Sequence, residues 1–129
     1  MQKYVPSVIL MCIAAIVLTS CGKASAPPAK AVEDYLTALV NKNANALSAL
    51  SCANWESNAL LELDSLQAVA TKLENLSCAI TGSNGSTTQV ICQGKIVATY
   101  NSEDQQFDLS IRTYQVVNQG GEYLVCGYQ

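Results

Sequence analysis

"SCAITGSNGSTTQVIC", Ser77 to Cys92, is the stretch whose reading decides the fold. Its centre is Gly-Ser-Asn-Gly-Ser, with β-rich segments on both sides, which is a hairpin signal. With Asn84-Gly85-Ser86 as the loop, positions equidistant from Gly85 face each other, and Cys78 and Cys92 each stand seven residues from it. Alternation of period two spreads outward from this turn. Leu76, Cys78 and Ile80 form one face of a strand; Val90, Cys92, Ile96, Ala98 and Tyr100 form one face of the next, against Gln93, Lys95 and Thr99. After the polar "NSEDQ", a third strand alternates Phe107, Leu109 and Ile111 with Asp108, Ser110 and Arg112. "NQGGE" then turns into a last strand with Leu124, Cys126 and Tyr128 on one face.

The registers carry one conflict. Turning at Glu103 sets Cys92 opposite Tyr114, and turning at Gly120 sets Tyr114 opposite Cys126, yet Phe107, Leu109 and Ile111 have the opposite parity from Tyr114. Either a turn differs by one residue or a bulge near Arg112–Thr113 switches the face. We expect the bulge, because such a bend curves a sheet around its helices.

Upstream the period is helical. Val32, Tyr35, Leu36, Leu39 and Val40 recur on one side from Lys30, with Glu33, Asp34 and Thr37 on the other. Asn45 is positioned to cap a short helix bearing Leu47 and Leu50, and a further helix from about Ala53 to Leu66 sets Trp55, Ala59, Leu60 and Leu63 on one side. Helices followed by strands predict an α+β fold, with N-terminal helices packed on a curved four-stranded antiparallel meander.

The chain opens with one charge, Lys3, and an uncharged apolar run from Val5 to Leu18. That order and length suit a secretory signal, and the run is shorter than the roughly 20 apolar residues of a membrane-spanning helix. The residues Leu18-Thr19-Ser20-Cys21 resemble the lipobox of bacterial lipoproteins. The resemblance implies cleavage before Cys21, a lipidated Cys21 thiol, and removal of residues 1–20. A lipidated cysteine of that family carries at least two acyl chains, each worth about 0.8 kcal/mol per buried CH₂, which is enough for stable anchoring. The expected site is the bacterial cell envelope, on the exported side: the outer membrane or the outer face of the cytoplasmic membrane. Gly22, in place of the Asp that retains lipoproteins at an inner membrane, points to the outer one. An uncleaved anchor or plain secretion is the alternative.

Of six cysteines, Cys12 leaves with the signal and Cys21 takes the lipid. Cys52, Cys78, Cys92 and Cys126 remain, an even number in an exported domain, which implies two disulfides and allows three pairings. The hairpin selects Cys78–Cys92 and so leaves Cys52 with Cys126. Chain entropy assigns roughly 3 kcal/mol to the short loop and about 4.5 kcal/mol to the long one. A zinc site is the rival, but the chain has neither a CxxC pair nor any His.

The whole chain carries a net charge of −3, and loss of Lys3 makes the mature side chains one unit more acidic. With its basic residues scattered, it is not built for nucleic acid or anionic lipid. Residues 21–29, "CGKASAPPA", read as a flexible tether, and residues 30–129 as one domain. The stretch "AVEDYLTALVNKNANALSALS", Ala31 to Ser51, with the meander after it, resembles the nuclear-transport-factor-two-like domains, whose cone is also described as cystatin-like. That resemblance implies helices closing a cone-shaped sheet, and family members include isomerases and dehydratases that work inside the cone with an Asp or His base.

This chain offers no such set. It lacks His, has no Gly-x-Ser-x-Gly elbow, and carries its acids where solvated faces and turns would place them: Glu33 and Asp34, Glu62 and Asp64, Glu103 and Asp104. "QVVNQG", Gln115 to Gly120, resembles the hairpin by which cystatins enter protease clefts, with its glycine one residue late. No catalytic residue, metal ligand or cofactor is assigned. Tyr35, Trp55, Tyr100, Phe107 and Tyr114 are the candidate lining of a cone pocket, although aromatics at such positions are commonly core. The expected function is non-catalytic: a lipid-anchored binding or interaction domain meeting an envelope protein. A carrier of a small apolar ligand in the cone is the alternative, and an isomerase- or dehydratase-like enzyme a more remote one.

Overall fold

The computed structural model of the protein describes residues 26–129. The apolar run, Cys12, the lipobox and Cys21 lie outside the described residues. Three helices come first: α1 (Pro27–Val40), α2 (Ala44–Ala49) and α3 (Glu56–Ser65). Five strands follow: β1 (Ala70–Asn84), β2 (Thr87–Tyr100), β3 (Glu103–Asp108), β4 (Thr113–Gln119) and β5 (Glu122–Tyr128). Among the described residues no helix is long and apolar enough to cross a membrane.

Helix α1 starts three residues before Lys30, so the end of the expected tether is helical. Pro27 and Pro28 occupy its first turn, where no amide donor is needed, and Pro28 and Ala29 are buried. The predicted stripe holds: Val32, Tyr35, Leu36 and Leu39 are fully buried, and each aliphatic contributes about 1.5–3 kcal/mol by leaving water. Helix α2 is capped by Asn43 rather than Asn45, because it begins one residue after Asn43. The Asn43 side-chain oxygen accepts from the Ala46 amide at 3.1 Å. Helix α3 begins at Glu56 rather than Ala53. The segment before it is drawn into pairing with β5: the Val125 amide donates to Leu50 O at 2.8 Å and the Cys52 amide to Val125 O at 2.9 Å.

The sheet is antiparallel, in the order β1-β2-β4-β5, with β3 also beside β2. It has five strands instead of four because a 3₁₀ turn, Leu109–Ile111, divides the expected third one. β3 pairs with Lys95–Tyr100, and β4 with Thr87–Ile91 along the same strand. The turn lies immediately before Arg112–Thr113, where the parity conflict demanded a switch of face. Asp108 fixes it by accepting from the Ser110 amide at 2.8 Å and the Ser110 hydroxyl at 2.7 Å, bonds that hold its carboxyl below the usual range. Leu109 is buried, but Phe107 and Ile111 are largely exposed, so the three do not share one core face.

Cys78 pairs with Cys92 across the hairpin, and both expected disulfides are present, Cys78–Cys92 and Cys52–Cys126. The turn is tighter than expected: Asn84 faces Thr87, leaving Gly85 and Ser86 at the tip. An irregularity between Ile80 and Gly82 absorbs the difference and restores the register at the cysteines. A second irregularity sets Asn75 and Leu76 against Gly94, whose φ is +101°. Further on the expected register fails. Tyr114 faces Val90 and Tyr128 rather than Cys92 and Cys126, because the β2–β3 turn is Asn101-Ser102 and a shift lies between Gln115 and Val116.

Candidate functional site at the mouth of the cone

Within the largely aliphatic core between helices and sheet, four aromatic rings gather into one cluster. Helix α1 supplies Tyr35, the residue before α3 supplies Trp55, and β4 and β5 supply Tyr114 and Tyr128. Tyr114 lies edge-on to Tyr35 at 6.3 Å and to Tyr128 at 5.5 Å between centroids, and Trp55 meets Tyr128 at 5.5 Å. The Trp55 indole N–H donates to the Tyr35 hydroxyl at 3.0 Å. Gly127 lies against the Trp55 ring at φ +140°, a backbone conformation that L side chains rarely adopt.

One ion pair lies beside the rings. Arg112 Nη1 donates to Glu62 Oε1 at 2.8 Å, with the side chains 22% and 18% exposed, and the guanidinium stands 4.3 Å from the Tyr128 centroid. Glu62 Oε2 is shut from solvent with no hydrogen-bond partner, and the Tyr114 hydroxyl, equally shut off, faces the Arg112 guanidinium without a hydrogen bond of good geometry. Burial pushes the Tyr114 phenol up to about 12, against a smaller opposing pull from Arg112. Burial raises Tyr35 further and Tyr128 as well. For Arg112 burial opposes the charge, but Tyr114 and Glu62 outweigh it and its pKa is raised. A pocket of about 130 Å³ opens next to the pair, lined by Glu62, Ser65, Leu66, Ile96, Phe107 and Arg112.

Of the five residues read as pocket lining, Tyr35, Trp55 and Tyr114 come together in the aromatic cluster. Phe107 stands apart from them, on the small pocket's wall, and Tyr100 is 60% exposed at the end of β2. Glu62, Arg112 and Tyr128 belong to the site although the sequence placed the first two on solvated faces. Pairing across fifty residues leaves no periodic trace; the one usable signal was the parity conflict beside Arg112. Chemically, the carboxylate is committed to a guanidinium and the phenols are held neutral, an arrangement suited to rigidity and to packing of an apolar group.

Helices closing a curved antiparallel sheet over this cluster define the α+β, nuclear-transport-factor-two-like fold. The chain is similar to a candidate ketosteroid isomerase from Shewanella frigidimarina, with 12% identity and a TM-score of 0.55 over 80% of this chain and 93% of that one. It is also similar to a SEC-C motif containing protein from Rhodopseudomonas palustris, with 9% identity and a TM-score of 0.51 over 77% and 74% of the two chains. No family's sequence model and no curated protein sequence matches the chain.

Proposed function

We propose that the protein is a lipid-anchored envelope lipoprotein whose folded domain is a non-catalytic interaction module. The observation that carries the non-catalytic reading is the filled interior. Four aromatic rings and an ion pair occupy the region between helices and sheet, and the pocket beside them, of about 130 Å³, is well below the roughly 300–1,000 Å³ of small-molecule sites. Two larger hollows, of about 520 Å³ beside Lys30, Asp34 and Tyr123 and about 510 Å³ beside Gly94 and Asp108, are shallow and open to solvent and include none of the four rings in their walls. That argues against the carrier of a free apolar ligand and against isomerase- or dehydratase-like turnover. The lipobox residues Leu18-Thr19-Ser20-Cys21 support the anchor.

Native mass spectrometry on protein extracted gently from its own membranes tests both halves. The expected species carries a lipid at Cys21, lacks four hydrogens for two disulfides, and holds no small molecule. A co-extracted ligand of a few hundred daltons would restore the carrier reading. Replacing Cys21 by Ala should leave the precursor uncut, and normal processing of that variant would refute the anchor.

A further inference from the structure

We infer that the free edge of β3, together with the pocket beside it, receives an extended, basic segment of a partner protein that adds a strand to the sheet and seats one apolar side chain next to Phe107. The inference rests on the interaction-module reading and gives it a surface and a partner chemistry.

Three observations converge on this place. First, among the described residues β3 pairs only with β2. The β2–β3 turn is two residues long, and Asn101 and Ser102 both have positive φ, as a type I′ hairpin requires. In such a hairpin the flanking pair Tyr100–Glu103 exchanges both hydrogen bonds, and bonded pairs then alternate. The backbone groups of Glu103, Gln105 and Phe107 therefore engage β2, whereas those of Asp104 and Gln106 point outward from the edge. An open row of this kind is a template for strand addition.

Second, the pocket has the size of a single side chain. A cavity of about 150 Å³ accepts a benzene ring, and this one, at about 130 Å³, lies between α3 and the inner side of β2 and β3. Leu66, Ile96 and Phe107 supply its apolar wall. A strand laid along β3 would turn alternate side chains toward that wall. Phe107 (44% exposed) already marks the edge with apolar surface that the fold leaves uncovered.

Third, charge selects the occupant. β3 carries Glu103, Asp104 and Asp108 and no basic residue. Two copies of this strand would repel each other edge to edge, so a second copy of the chain is disfavoured. A segment bearing Lys or Arg on the positions that flank its apolar anchor is complementary.

The test uses the full-length chain in detergent micelles and two kinds of probe. The first is a synthetic ten-residue strand peptide with alternating Thr and Lys and one central Phe, titrated by NMR. The expected result is binding in the micromolar range with slowed exchange of the Asp104 and Gln106 amides. It should weaken at least tenfold when the peptide's Lys are replaced by Glu or its Phe by Ala. Gln106→Pro removes an outward donor and, apart from the exposed Lys95 Nζ–Gln106 Oε1 bond, leaves the pairing with β2 intact, so it should lower affinity at least tenfold while the far-ultraviolet circular dichroism and melting midpoint stay close to the parent's. No binding up to 1 mM, or affinity unchanged in Gln106→Pro, overturns the site. The second probe is a photo-cross-linking residue placed at Gln105 or Ile111, with Ile80 and Leu124 as controls, in the native cells. Adducts at Gln105 or Ile111 that disappear with Gln106→Pro support the site. Adducts only at the controls overturn it while leaving an interaction module intact, and adducts nowhere remove the interaction module itself. Adducts that prove to be the chain's own copy also overturn it.

Discussion

At Gly94 the fold depends on the absence of a single atom. A Cβ there would lie 2.5 Å from the Glu74 carbonyl oxygen and 2.6 Å from that of Asn75, with φ already at +101°. Gly94→Ala is expected to cost on the order of 2–3 kcal/mol, which chemical denaturation would measure; a loss below a few tenths would mean that the irregularity relaxes freely. Arg112→Met leaves Glu62 without its partner. Breaking a buried pair costs about 3–5 kcal/mol, and because both groups keep some contact with water we expect about 2 kcal/mol. The tyrosines set a pH dependence. Tyr114 is near 10 when unfolded and about 12 when folded, so the fold favours the neutral phenol. Its contribution is complete below pH 10 and is lost as pH rises from 10 to 12, with a slope of up to about 1.4 kcal/mol per pH unit. Tyr35 and Tyr128 are raised in the same direction and steepen the fall. Denaturation midpoints across that window should decline, and Tyr114→Phe should flatten the decline. A parent profile that stays level would contradict the burial of these phenols.

Element boundaries were legible only where a periodic pattern or a cap declared them. The α1 stripe follows directly from residue spacing, because burial on one face forces a period; the Cys78–Cys92 pairing was read from symmetry about Gly85, and it holds because the irregularity between Ile80 and Gly82 offsets a turn centred between Gly85 and Ser86. The α2 start was missed by two residues, since Asn43 and Asn45 are equally good caps in isolation and the choice is made by the Lys42 backbone, which takes a positive φ of 57° just before Asn43. Asn43→Ala should therefore destabilise by about 1 kcal/mol and Asn45→Ala by much less, a contrast that thermal melts of the two variants would display. The split of β3 from β4 showed in the sequence as a parity error without a form. What resolves it is an Asp108 side chain closing a 3₁₀ turn over Ser110, a local bond that no alternation of apolar residues encodes. The Glu62–Arg112 pair was invisible for a different reason: it joins a helix to a strand, and its partners read separately as surface charges.

For the whole molecule, the two disulfides act on very different lengths of chain. Cys78–Cys92 closes a separation of 14 residues and Cys52–Cys126 one of 74. Removing the first by paired Cys→Ala substitution is expected to cost roughly 3 kcal/mol, and removing the second about 4.5 kcal/mol. Denaturant titration of the two double variants ranks them; the reverse order would mean that the long loop stays compact in the unfolded chain. The long bridge also has a purely topological effect. Because it ties Cys52 to Cys126, three residues before Gln129, nearly the entire sheet lies inside a closed covalent ring, and the smaller ring sits within it. A protease cut after Lys72 or Lys95 therefore opens the ring without producing a second molecule. Protein cut once, after Lys72 or after Lys95, should run as one species on a non-reducing gel and separate into two fragments only after reduction, whereas cutting at both releases residues 73–95 with their own bridge. The severed strands stay tethered for re-pairing, and the chain persists as a single object after a single cut that would divide an unlinked one.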